Sequence, residues 1–180
     1  IVLAAVTLAA AAAFAAVAAR QAAGRRQTAV KELESEIPPA LERMLSLFSY
    51  SHYVTESERD EAISRHGILK DKIRSVLTSK ELKQSPIYND AKRLHKALTE
   101  SEKIKAENNR HFVERELRAN SDFFDHVMKY PLNDQQRESI VSLEDNVLVI
   151  ASAGSGKTMT SVGQVRYLID KQGVDPSRIL

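Results

Sequence analysis

Apolar residues along this chain follow three patterns. Ile1 to Ala19 is apolar throughout except for Thr7. From about Gln27 to Tyr53 the apolar positions Val30, Leu33, Ile37, Leu41, Met44 and Phe48 recur at three- and four-residue steps, which predicts a helix. Pro38-Pro39 predicts a kink or a restart within it. Thr55-Glu-Ser-Glu58 has the form of a capping box and predicts a second helix to about Leu82, with Ile63, Leu69, Ile73, Val76 and Leu77 inward. Ser85-Pro86 predicts the start of a third, running to about Lys129 and marked by Ala91, Leu94, Leu98, Lys105, Phe112, Leu117 and Phe124. These segments are too polar for a thick core. They read as a helical hairpin or short antiparallel coiled coil.

The third pattern is a short continuous run. Val147 to Ile150 is apolar and rich in β-branched residues, which suits a strand buried on both faces. Ala151-Ser152-Ala153-Gly154-Ser155-Gly156-Lys157-Thr158 follows and fits the phosphate-loop pattern, with Ala151 at the opening position where Gly is commoner. Met159 to Asp170 has helical spacing, with Val162, Val165, Leu168 and Ile169 on one side. Strand, glycine loop and helix stand in the order such a motif requires.

The residue types match the chemistry. Gly154 and Gly156 allow a tight turn and let the backbone approach a polyphosphate closely. Successive backbone N–H groups and the positive end of the next helix attract the anion. Lys157 would reach the β- and γ-phosphates of ATP, and the Thr158 hydroxyl would ligate Mg²⁺. The plain alternative is a Gly/Ser loop that binds nothing.

Upstream, Asn133 or Asp134 is placed to cap a helix, with amide and acidic side chains a few residues on and Ile140-Val141 following. Leu132-Asn133-x-x-Gln136, followed by Ala151-x-Ala153-Gly154-Ser155-Gly156-Lys157-Thr158, resembles the amino-terminal edge of the UvrD/Rep-like superfamily 1 DNA helicases. Arg118 to Tyr130, with Asp122-Phe123-Phe124 leading into Pro131, is similar to the segment preceding the motor in bacterial helicase IV. The resemblance covers about Ser101 to Leu180. It implies that Gln136 reads the adenine edge, and that the fold is mainly α followed by the first strand, P-loop and helix of a RecA-like α/β NTPase domain. It further implies an ATP-dependent DNA helicase or translocase whose acidic pair, arginine finger and DNA contacts lie beyond Leu180. Met159 departs from the family, where Arg is common.

Composition narrows the picture little. Among 180 residues, 43% are hydrophobic and 28% charged, and the net charge of +2 gives no argument for nucleic acid. The absence of Cys excludes disulfides and thiolate metal sites. His52, His66, His95, His111 and His126 show no metal-ligand spacing. The mixed charges of Lys92 to Arg118 read as a solvated helix face. Ile1–Ala19 would span ~28 Å as a helix, close to a bilayer core of ~30 Å. Arg20, Arg25 and Arg26 follow it and would place the rest on the cytoplasmic face of the membrane, or in the cytoplasm. A signal peptide and a packed alanine helix are the rival readings.

The organisation expected is therefore a transmembrane helix over 1–20, a helical arm over 21–129 and the start of a nucleotide-binding domain over 130–180, in a piece of a longer protein. Two other function classes fit parts of the pattern. One is another P-loop enzyme, such as a small-molecule kinase or transport ATPase. The other is a membrane-tethered coiled-coil interaction protein.

Overall fold

A computed structural model describes residues 2–179, with side chains from 11 to 179. The chain is helical. Its elements are α1 (Val2–Leu47), α2 (Glu56–Val76), α3 (Lys80–Lys83), α4 (Tyr88–Thr99), α5 (Ser101–Ala119), α6 (Ser121–His126), α7 (Asp134–Val141) and α8 (Lys157–Asp170), then a 3₁₀ turn at Pro176–Arg178. Two compact units are interleaved in sequence. One comprises residues 1–46 and 62–101, the other residues 47–61 and 102–180.

In the first unit most of the described buried apolar residues come from four helices, with Ile87 from the turn before α4. Val30, Leu33, Ile37, Ala40, Leu41 and Met44 lie on α1, and Leu69, Ile73 and Val76 on α2. Leu82 comes from α3, and Ala91, Leu94 and Leu98 from α4. The three- and four-residue spacing thus sorts inward from outward positions as expected. Pro38-Pro39 does not end α1, contrary to the predicted restart. Both prolines are exposed, between buried Ile37 and buried Ala40. The carbonyls they leave without an N–H partner belong to Glu34 and Ser35, also exposed, so water can serve them.

The capping box at α2 forms as read. Thr55 N–H donates to Glu58 Oε2 at 2.9 Å, and Glu58 N–H donates to Thr55 Oγ1 at 3.3 Å. The helix stops at Val76 because Ser79 caps a separate turn, its hydroxyl accepting from Leu82 N–H. The long third helix is instead α4, α5 and α6. At Asn120 the side-chain amide donates to the Glu116 carbonyl, the local competition with helix bonding that Asn offers.

The strand expected at Val147–Ile150 is absent, and no strand exists among the described residues. The structure therefore does not contain the α/β beginning that the sequence suggests. A β-ladder needs a neighbouring segment to exchange N–H···O bonds, and among the described residues none forms a ladder with it. The segment is not buried on both faces: Leu148 is 85% exposed and Ile150 88%, while Val147 and Val149, at 45% and 47%, are about half covered.

The predicted apolar anchor, Ile1–Ala19, falls largely outside the residues whose side chains are described. Among the described residues no helix is long and apolar enough to cross a membrane.

His66 on α2 is buried. Burial, with Arg43 and Arg65 nearby, holds its imidazole below the ordinary value. The unfolded chain takes up this proton near pH 6.5, while the folded chain takes it up only at lower pH. The stability from neutral His66 is complete above about pH 6.5 and is lost as pH falls towards the folded value. Thermal melts between pH 7.5 and 5 should show His66→Gln with a shallower acid-side decline than the parent. Parallel declines would refute this assignment.

Candidate functional site

The second unit is built around Phe124, Val127, Leu132, Ile140, Val141 and Tyr167, with Val113, Leu117, Phe123, Met128, Leu143 and Met159 packed on them. Two helices carry the site: α7 holds Gln136, and α8 begins at Lys157. They pack directly on each other. Gly163 makes this possible, since a Cβ there would stand 2.9 Å from Ile140 Cδ1 and 3.4 Å from Leu132 Cδ1. The face of α8 that turns inward is Thr160, Gly163 and Tyr167. That differs from the stripe read in the sequence, for Val162 and Val165 are exposed. Tyr167 donates its phenol hydrogen to Glu116 Oε2 at 2.7 Å and accepts from Gln172 Nε2 at 2.8 Å. Burial and the Glu116 carboxylate both push its ionisation up.

The approach to α7 is fixed by Arg137. Its Nε donates to the Leu132 carbonyl and its guanidinium to Asp125, both at 2.6 Å. Asn133 then caps α7 in the reciprocal manner predicted. Its Oδ1 accepts from Gln136 N–H at 2.9 Å, while Gln136 Oε1 accepts from Asn133 N–H at 3.0 Å. The other end of the Gln136 amide reaches the glycine loop, donating to the Ser155 carbonyl at 3.2 Å. Gln136 thus spans from one helix cap to the loop, and both ends of its amide are engaged.

The loop, 151–156, turns into α8 through two glycines with positive φ, Gly154 at 76° and Gly156 at 88°. Any L-residue in this region is strained. At Gly154 a Cβ would meet open space; at Gly156 it would lie 2.7 Å from Gln136 Nε2. Gly156 is the N-cap of α8, no side chain caps that end, and its first turn holds no acidic residue. The free N–H groups and the positive helix end are left available. Ala151, Ser152, Ala153, Gly154, Ser155, Lys157 and Thr158 are all exposed. The Lys157 ammonium donates to the carbonyls of Ala151 at 2.8 Å and Ser152 at 2.7 Å. These are solvent-facing bonds to neutral acceptors. An anionic oxygen would be the stronger partner.

A cleft of about 210 Å³ lies between the start of α7 and the loop, lined by Asn133, Gln136, Ser139, Ile150, Lys157 and Thr160 among others. The residues singled out in the sequence are therefore brought together: Gln136 touches the loop, and Lys157 closes over it. Among the described residues no group of three or more His, Asp or Glu side chains could hold a metal ion. Thr158, read in the sequence as a ligand for Mg²⁺, stands exposed in the first turn of α8.

Sequence reading missed one part of the neighbourhood. Lys105 on α5, which the helical spacing set on the marked stripe while the mixed charge of 92–118 read as a solvated face, is 9% exposed at its side chain and pairs with Glu56 and Glu144, partners the sequence did not indicate. Asn108 and Asn109 beside it are buried and bond to the backbone of 50–54. The seven-residue steps from Leu98 through Lys105 to Phe112 carried the inward placement, but not the pairing.

The comparisons with known proteins bear on this same region. The family described as UvrD/REP helicase N-terminal domain matches residues 132–180. DNA helicase IV of Escherichia coli (strain K12) is 35% identical over 83 residues, 46% of this chain and 12% of that protein. The probable DNA helicase II homolog of Mycoplasma capricolum subsp. capricolum is 51% identical over 49 residues, 27% of this chain and 7% of that protein. ATP-dependent DNA helicase PcrA of Staphylococcus aureus is 37% identical over 49 residues, with the same coverage. The chain thus spans 7% to 12% of the length of these relatives. No solved structure gives a significant match.

Gly163 allows the direct test of this packing. Gly163→Val should overpack the contact with Ile140 and Leu132 and lower stability by about 1–3 kcal/mol. Gly163→Ala should cost less, because Ile140 Cδ1 is the free end of a flexible side chain. A urea midpoint for Gly163→Val equal to that of the parent would contradict the close approach.

Proposed function

With residues 132–180 carrying the UvrD/REP helicase N-terminal sequence, we propose that loop 151–158 binds the polyphosphate of ATP with Mg²⁺ in an ATP-dependent DNA helicase or translocase. The observation that carries this reading is the loop itself. Two positive-φ glycines lead into an uncapped helix end, with the Lys157 ammonium held over the loop by two exchangeable carbonyl bonds. When ATP is bound, its hydrolysis supplies the free energy for movement along DNA.

The chain's own residues then have separate tasks. Backbone N–H groups of 154–158 surround the phosphates. Lys157 gives up the Ala151 and Ser152 carbonyls and meets the β- and γ-phosphate oxygens. Thr158 contributes its hydroxyl to Mg²⁺. Gln136 gives up the Ser155 carbonyl and offers its amide to the adenine edge, with the adjoining cleft taking the ring. The DNA substrate is met by parts of the protein beyond residue 180. Ile1–Ala19, followed by Arg20, Arg25 and Arg26, anchors the protein at the cytoplasmic face of a membrane. That last element predicts retention in the membrane pellet after carbonate extraction. Recovery in the supernatant would remove it without touching the nucleotide reading.

The nucleotide reading is tested in the full-length parent by ATP and CTP hydrolysis at saturating single-stranded DNA. Lys157→Ala should lower kcat at least a hundredfold, on the order of 3 kcal/mol of transition-state stabilisation. Thr158→Val should be rescued only in part by excess Mg²⁺. Gln136→Ala loosens the cap of α7 for either nucleotide, but should raise KM for ATP more than for CTP. An equal rise would leave Gln136 with a structural role only. Unwinding that survives Lys157→Ala would overturn the nucleotide reading.

A further inference from the structure

Glu144 and Asp145 stand just before the exposed run 147–150, and both are tied to elements far upstream. Glu144 Oε1 accepts from Glu56 N–H at 2.7 Å, and Asp145 Oδ2 accepts from Ser57 N–H at 2.8 Å. These two carboxylates therefore serve free donors in the first turn of α2, which has no partner for them within the helix. Lys105 Nζ donates to Glu144 Oε2 at 2.8 Å and to Glu56 Oε2 at 2.6 Å. Its side chain is 9% exposed, and that of Glu144 is 24% exposed. Burial disfavours the charge on Lys105, yet the two carboxylates outweigh it and raise its ionisation above the ordinary value. Burial likewise works against a charged Glu144, but Lys105 and the N–H groups of Glu56 and Asp145 hold it below the usual range. Lys105 and Glu144 thus hold each other charged at neutral pH, and removing either leaves the other short of a partner.

The clasp matters because it lies six residues before the loop. Val147 to Ile150 runs from it to the loop, with Val147 and Val149 about half covered and Val149 and Ile150 lining the cleft beside Gln136. The segment is held at both ends. One end is the Glu144–Asp145 clasp. The other is the loop, held by the Gln136–Ser155 bond and by α8 packing on α7. We infer that Lys105, acting through Glu144, is a positioning residue for the nucleotide loop, so that the helices upstream of the motor sequence are part of the nucleotide site. The inference rests on the proposed nucleotide binding and adds to it a residue that touches no nucleotide.

The test uses the full-length parent and four variants: Lys105→Met, Lys105→Arg, Glu144→Gln and the double Lys105→Met/Glu144→Gln. Equilibrium binding of N-methylanthraniloyl-ADP with Mg²⁺ and the KM and kcat of DNA-stimulated ATP hydrolysis are measured, with circular dichroism melts as the check on folding. Lys105→Met should weaken nucleotide binding and raise KM by roughly tenfold, with kcat within about twofold, because the phosphate contacts remain once nucleotide is seated. Glu144→Gln should do the same, and the double variant should be no worse than either single, as expected for two partners of one contact. Lys105→Arg keeps the charge and should restore binding. Glu144→Gln is a near-isosteric change at a partly exposed group, so it carries the test if Lys105→Met folds poorly.

Binding at parent affinity in folded Lys105→Met and Glu144→Gln would overturn the inference while leaving the nucleotide reading intact. Effects that add in full in the double variant would also overturn it. Parent protein that binds the ADP probe no better than Lys157→Ala would remove the nucleotide reading, and this inference with it.

Discussion

The close approach of α8 to α7 is the constraint on which the candidate site depends. A helix pair this near needs a residue without a side chain at the crossing, and Gly163 supplies it opposite Ile140 and Leu132. Because the helices meet there, the start of α8 lies beside the start of α7. Gln136, in the first turn of α7, then reaches the Ser155 carbonyl across the gap. At Gly156 the positive φ already disfavours a side chain, and a Cβ there would also come within 2.7 Å of Gln136 Nε2.

The loop is built from groups that are satisfied but easily exchanged. Lys157 bonds two neutral carbonyls in solvent, and Gln136 bonds one. The buried contacts around it are of another kind. Tyr167 with Glu116 and Lys105 with Glu144 each join a charged group to a partner in a part-buried setting, and such contacts are costly to break singly. A surface loop that can rearrange thus rests on a frame that resists rearrangement, the usual division of labour between binding segments and scaffold.

Much of this was legible in the residues. Both capping boxes, Thr55 with Glu58 and Asn133 with Gln136, arise from short-range chemistry and form as read. The inward stripe of α1, from Val30 to Met44, comes from spacing alone. What failed depends on distant partners. Val147–Ile150 has the composition of a buried strand, but composition states only what a sheet would accept and says nothing of whether a neighbour is there. Pro38-Pro39 does not restart α1, and the carbonyls it frees belong to exposed residues that water can serve. On α8 the apolar count favoured Val162 and Val165, whereas close packing selected the face with the glycine. Lys105 and Glu144 meet across 39 positions, a pairing no local pattern encodes.

The central claim, that loop 151–158 receives a polyphosphate, is tested most directly by amide hydrogen exchange in the full-length protein with and without MgADP. The account predicts slowed exchange at residues 153–160, where loop N–H groups and the first turn of α8 would meet phosphate, and little change on the outer face of α8 at Val162 and Val165. Unchanged exchange across 153–160, with MgADP bound and protection appearing elsewhere, would contradict it.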